Sequence, residues 1–180
     1  MPAVQVDNLL FTFTPAVAAL PVPYDQWQHY LTVMNAAGGV KAVDVVAVEG
    51  VAPPPPTTTW LIEAKDYRIV TYPPKPSNLR GLPQTVAAKV TDTLAGLAHA
   101  AVNAIVPAEQ AHAAQAVLAP VRRIVLHLEP HVGPHTALFP AGFAASVFQT
   151  LKRLVAHIDT NPLVLNIANT PMAGVPWVVA

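Results

Sequence analysis

Apolar positions recur along the chain with two different periods, and prolines divide the pattern into segments. Residues 4–14 alternate weakly around Phe11 and Phe13, which predicts a strand. Residues 24–36 follow a proline, begin with Asp25 and place Trp27, Tyr30, Leu31 and Met34 at helical spacing, so a helix is expected, ended by Gly38-Gly39. Residues 40–48 are rich in Val and predict a strand. Pro53 to Pro56 cannot join a ladder and predict a stiff extended connector. Residues 57–69, β-branched and aromatic, predict a second strand, most simply antiparallel to the first.

The second half reads as mostly helical. Pro83 is suited to a first helical turn. Val86, Val90, Leu94, Leu97, Ala101 and Ile105 then form one apolar stripe. Pro107 stops that helix and opens another over 107–118. Residues 123–128 predict a strand with Ile124, Leu126 and Leu128 on one face, and 144–158 a helix with a stripe of Val147, Leu151, Leu154 and Ile158. Residues 163–168 predict a last short strand, and the proline-containing tail after Asn169 is expected to lie over the surface. Strands alternating with helices imply an α/β fold, a mixed central sheet flanked by helices on both faces. No internal repeat is visible, and 180 residues suit a single domain over 1–180.

Composition narrows the function classes. The AVILMFWYC set makes up 53% of the chain, enough for a sizeable core, so disorder is excluded as the main state. With no cysteine there is no disulfide framework, Cys-ligated zinc or thiol nucleophile. Ten basic residues balance ten acidic ones, which argues against coating nucleic acid with the whole surface but leaves room for a local basic groove. The stretches 8–24, 130–151 and 160–180 carry no Asp, Glu, Lys or Arg, yet prolines break each one, and a spanning helix needs about 20 mostly apolar residues. No membrane segment is expected. Residues 1–6 lack the positive patch of a secretory signal, so the expected compartment is the cytoplasm.

Candidate chemistry concentrates in Lys41-Ala-Val-Asp44-Val-Val and Trp60-Leu-Ile-Glu63-Ala-Lys65-Asp66-Tyr67. Alternate strand residues share a face, so Glu63 and Lys65 project together, and Asp44 on the preceding strand is expected beside Glu63. Charges among Val43, Val45, Leu61 and Ile62 demand partners. Two adjacent carboxylates repel unless a proton or cation lies between them, and their oxygens suit Mg²⁺ or Mn²⁺. A lysine beside such an ion can orient a water.

This arrangement resembles the PD-(D/E)XK nuclease superfamily, the restriction-endonuclease-like fold. The matching residues are Asp44 and, nineteen positions on, Glu63-Ala64-Lys65 at the edge of an apolar strand. That family's core is a helix, an antiparallel strand set carrying these residues, a helix, a strand and usually another helix, and the element order over 24–158 is compatible with it. The resemblance implies metal-dependent hydrolysis of DNA phosphodiester bonds. Asp44, Glu63 and the main-chain carbonyl of Ala64 would bind Mg²⁺ or Mn²⁺, and Lys65 would position or activate the attacking water. Asp25, Gln26 and Gln28 are the candidates for the further acidic ligand that some members carry in the first helix. The Gln-xxx-Tyr pair of the exonuclease branch is absent, because Ala88 stands four residues after Gln84.

The stretch from Lys65 to Lys89 is the most basic in the chain, and Arg68, Lys75, Arg80 and Lys89 are expected along a DNA backbone. The alternative is a non-catalytic module of the same fold binding nucleic acid or a protein partner. The apolar stretch 163–180 is expected to cover a second copy in a homodimer. His127, His131 and His135 have zinc-like spacing, but Pro130 and Pro134 forbid the helix face that such a site would use.

Overall fold

The computed structural model describes residues 1–14, 19–50, 55–68, 74–131 and 136–180. Among these residues it is an α/β protein with two sheets. The larger sheet contains β3 (Ala19–Pro23), β4 (Val45–Glu49), β5 (Thr58–Asp66), β6 (Val121–Glu129) and β7 (Leu163–Leu165), in that spatial order. Neighbours β3, β4 and β5 are antiparallel, whereas β5, β6 and β7 are parallel. The smaller sheet is antiparallel: β1 (Ala3–Val6), β2 (Leu9–Phe13) and β8 (Trp177–Val179), with β2 in the middle.

The helices are α1 (Pro76–Arg80), α2 (Leu82–Asn103), α3 (Pro107–Leu118) and α4 (Phe143–Val155). Prolines stand in the first turns of α1, α2 and α3, where the missing N–H leaves no helical bond unmade. The buried stripe of α2 is Leu82, Val86, Val90, Thr93, Leu97 and Ala100. It meets Val46, Val48, Leu61, Ile124, Leu126 and Leu128 on one face of the large sheet. Ile105, expected on this stripe, lies past the helix end and is exposed.

The expectation of helices on both faces is corrected. The opposite face of the large sheet is covered by the small one: Val45, Ala47, Trp60, Ile62 and Ala64 pack with Leu9, Phe11, Phe13, Trp177 and Val179. Residues 4–14 are not one strand but a hairpin, because Asp7 takes a left-handed φ of 52° and reverses the chain. The tail does not lie over the surface either. Its β8 joins β2, and Trp177 is buried against Phe13 and Trp60. An apolar tail so short gains most by closing the chain's own second core.

The first helix is also different. Residues 24–26 form a 3-10 turn, Trp27 is extended, and residues 30–34 form a π-helical turn. The break lets Tyr24, Trp27 and Tyr30 all face inward, with ring centroids of 4.9 Å from Tyr24 to Trp27 and 5.7 Å from Tyr24 to Tyr30. The new N-terminus is capped from another element: the Glu109 carboxylate of α3 accepts from the N–H groups of Gln28 at 2.7 Å and His29 at 3.0 Å. Pro53, Pro54 and His135 lie outside the described residues.

Candidate functional site

Period-two alternation in β5 turns Trp60, Ile62 and Ala64 toward the small sheet, and Leu61, Glu63 and Lys65 toward the helices. Its antiparallel register with β4 pairs Val45 with Ile62 and Val46 with Leu61, which brings Asp44 to the end of the ladder opposite the Glu63 region. Asp44 is fixed by its own backbone and side chain. Its carbonyl accepts from the Tyr24 N–H at 3.0 Å, and its Oδ2 accepts from the Ala64 N–H at 2.8 Å. Helix α2 fastens the approach to this position. Asp92 accepts from the Lys41 N–H at 2.9 Å, and the Thr93 hydroxyl accepts from the buried Val43 N–H at 3.0 Å.

The expected convergence of Asp44, Glu63 and Lys65 is present. Lys65 Nζ lies 2.6 Å from Glu63 Oε1 and donates to the Ala64 carbonyl at 3.0 Å. A fourth group joins them. Lys89 Nζ of α2 lies 2.7 Å from Glu63 Oε1, 2.8 Å from Oε2 and 3.4 Å from Asp44 Oδ1. Lys89, expected along a DNA backbone, lies instead between the two carboxylates. A signal was available: Lys89 stands three residues after Val86 and one before Val90, on the flank of the buried stripe and so toward the sheet.

Glu63 is fully buried, and burial pushes its carboxyl above the usual range, with the Asp44 charge adding to that effect. Burial works in the opposite sense on Lys65, but the Glu63 and Asp44 charges outweigh it and hold the ammonium above its ordinary value. Asp25 enters the same neighbourhood. It is half-buried, and burial followed by the Asp44 charge raises its carboxyl. A polar pocket of about 270 Å³ opens here, lined by Gln5, Asp7, Pro23, Asp25, Asp44 and Lys65. Its wall from the β1–β2 hairpin was not legible while that segment read as one strand.

The other basic candidates separate. Arg68 is held by Asp66, with Nε and Nη2 each 2.9 Å from a carboxylate oxygen. Lys75 precedes α1, Arg80 is its last residue, and both are exposed. Across the sheet, His127 Nε2 lies 2.9 Å from Glu129 Oε1, which also accepts from the Ile167 N–H at 2.6 Å.

Among the described residues no three His, Asp or Glu side chains are grouped as a metal site, and no helix is long and apolar enough to cross a membrane. The donor set at Asp44, Glu63 and the Ala64 carbonyl is nevertheless all hard oxygen, which suits Mg²⁺ or Mn²⁺ in chemistry. Asp44 Oδ1 and both Glu63 oxygens lie within 3.4 Å of the Lys89 ammonium, and Glu63 Oε1 is shared with Lys65.

No family model matches the chain, and no solved structure matches it. A curated protein, the cysteine–tRNA ligase of Neisseria meningitidis serogroup A, is 27% identical over 195 residues. The match takes in 87% of this chain but only 27% of the length of that ligase, so the chain is similar to one portion of it.

Proposed function

We propose that the protein is a metal-dependent nuclease with a restriction-endonuclease-like core, hydrolysing DNA phosphodiester bonds at Asp44, Glu63 and Lys65. The observation that carries this reading is the convergence of both carboxylates and the Lys65 ammonium at one end of the β4–β5 ladder, beside a polar pocket. Asp44, Glu63 and the Ala64 carbonyl would hold Mg²⁺ or Mn²⁺. When bound, the ion supplies positive charge for the phosphate oxygens and lowers the pKa of a nearby water.

The chain's own residues do the rest. Asp44 is oriented by the Ala64 N–H, which leaves its Oδ1 facing the site. Lys65, kept protonated by Glu63 and Asp44, donates to the attacking water or to a phosphate oxygen and stabilises charge that develops there. Lys65 would position or activate that water. As the bond from the water oxygen to phosphorus forms, the phosphorus–oxygen bond to the leaving oxygen breaks, the water's proton passing to bulk solvent and the leaving oxygen taking one from it.

The test incubates the purified chain with duplex DNA, single-stranded DNA and tRNA in Mg²⁺ or Mn²⁺, beside Glu63→Ala and Lys65→Ala. The tRNA arm is included because the similar curated protein is a tRNA ligase. Cleavage of DNA lost in both variants is expected. Cleavage that persists in both would make the activity a contaminant and overturn the reading. The second reading, a non-catalytic module of the same fold binding nucleic acid or a protein partner, is favoured by the ammonium already lodged between the carboxylates. Binding of nucleic acid without cleavage in either metal would support it.

A further inference from the structure

We infer that Lys89 is the resident counter-cation of this site, and that it competes with a divalent ion for the same carboxylate oxygens. The inference rests on the proposed metal site and concerns how that site is loaded. Its basis is which oxygens are engaged by what. Asp44 Oδ2 is taken by the Ala64 N–H at 2.8 Å. That leaves Asp44 Oδ1, Glu63 Oε2 and Glu63 Oε1, the last shared with Lys65 at 2.6 Å, and Lys89 Nζ lies within 3.4 Å of all three. These are the lone pairs that a hard ion bound by the two carboxylates would use.

The contacts are unequal in a way that permits release. Lys89 is tight to Glu63 and loose to Asp44, and its side chain retains 19% exposure. Lys65 already neutralises Glu63 from the other side. An ion that takes these oxygens would compete with the Lys89 ammonium for the same lone pairs and meet its like charge at close range. Loading therefore requires Lys89 to leave, and its flexible four-carbon stem on α2 allows this without moving the helix. A departing Lys89 becomes an unpaired cation beside the pocket, available to a phosphate.

The test is calorimetric titration with Mn²⁺ alone, on wild type, Lys89→Met and Lys89→Gln, with folding verified by circular dichroism and thermal melting. Removing the competing ammonium is expected to tighten Mn²⁺ binding at least tenfold in a folded variant. The gain is expected to vanish when Glu63→Gln is added, which locates it at this site. Equal or weaker binding in both folded Lys89 variants would overturn the inference. If the wild type meanwhile binds Mn²⁺ and cleaves DNA, the proposed function stands without it. Tightening in the Lys89 variants with no DNA cleavage under any condition would retain the competition and overturn the nuclease reading instead.

Discussion

The strongest test of the cluster as a physical unit is a double-mutant cycle on Glu63 and Lys89. At 2.7 Å, and with an effective dielectric constant of about 20, the gross attraction between these charges is about 6 kcal/mol. Most of it is offset by removing the two groups from water. Lys89→Met discards the attraction and leaves Glu63 fully buried, held only by Lys65 at 2.6 Å. The expected loss is about 2–3 kcal/mol, below the range for a buried pair broken outright because Lys65 remains. Glu63→Gln behaves differently. Burial and the Asp44 charge already disfavour the ionised carboxylate, so a neutral amide of the same shape relieves that burden while losing the two ion pairs. Its expected effect is within about 1 kcal/mol of zero.

The double variant is therefore expected near the Glu63→Gln value, giving a coupling of about 2 kcal/mol. Urea unfolding at pH 7, followed by tryptophan fluorescence and circular dichroism, measures all four corners. A coupling below about 0.5 kcal/mol would mean that solvent screens the pair, and would refute the treatment of Lys89 as a bound cation.

Other substitutions probe the supports of the site. A methyl group at Gly96 would collide with the buried Tyr24 hydroxyl, so Gly96→Ala is expected to lose about 1–3 kcal/mol despite its better helix propensity. Because the Tyr24 N–H holds the Asp44 carbonyl, the same change should weaken Mn²⁺ binding; an unchanged urea midpoint would show that Tyr24 yields freely. Thr93→Val leaves the buried Val43 N–H without its acceptor and is expected to lose about 1–3 kcal/mol in the same assay. His112 lies edge-on to Trp27, and burial lowers its pKa to about 4. The neutral ring is favoured in the fold, so its contribution is complete above pH 6.5 and is lost as pH falls toward 4, by about 3 kcal/mol. His112→Phe should flatten that acid branch; a difference between wild type and variant that is constant from pH 7 to 4 would contradict the assignment.

The legible features of this chain were those set by local period. Alternation in β5 placed Glu63 and Lys65 on one face, and runs of Val and β-branched residues located the antiparallel β4–β5 pair. Prolines marked the start of α2 and α3 to within a residue. What was not legible depended on contacts distant in sequence. The small sheet needs β8 from the extreme C-terminus against β2, and nothing local distinguishes Trp177–Val179 from a surface tail. The first helix was interrupted by an aromatic cluster and capped by Glu109, which stands 80 residues from His29. Lys89 reached Glu63 across 26 residues, so its charge was counted with the basic run rather than with the carboxylates.

That relocation alters the electrostatic account of nucleic-acid binding. Lys65 and Lys89 are bound to carboxylates and Arg68 to Asp66, so among the described residues the basic stretch leaves the exposed Lys75 and Arg80 as charge outside these ion pairs. The pocket beside the site is lined by Asp7, Asp25 and Asp44 against Lys65. Adding Glu63 and Lys89 gives four carboxylates and two ammonium groups, a formal charge of −2. A polyanion is repelled by such a surface, and a divalent ion that cancels the deficit would remove that repulsion. On the proposed function, DNA binding is therefore conditional on the metal. Fluorescence anisotropy of a labelled duplex, with Ca²⁺ or Mn²⁺ against EDTA at fixed ionic strength, should show at least tenfold tighter binding with the ion, and Glu63→Gln should abolish most of that difference. Equal affinity in EDTA would place the DNA contacts elsewhere, on Lys75, Arg80 and their surroundings, and would detach the basic stretch from the chemistry at Asp44 and Glu63.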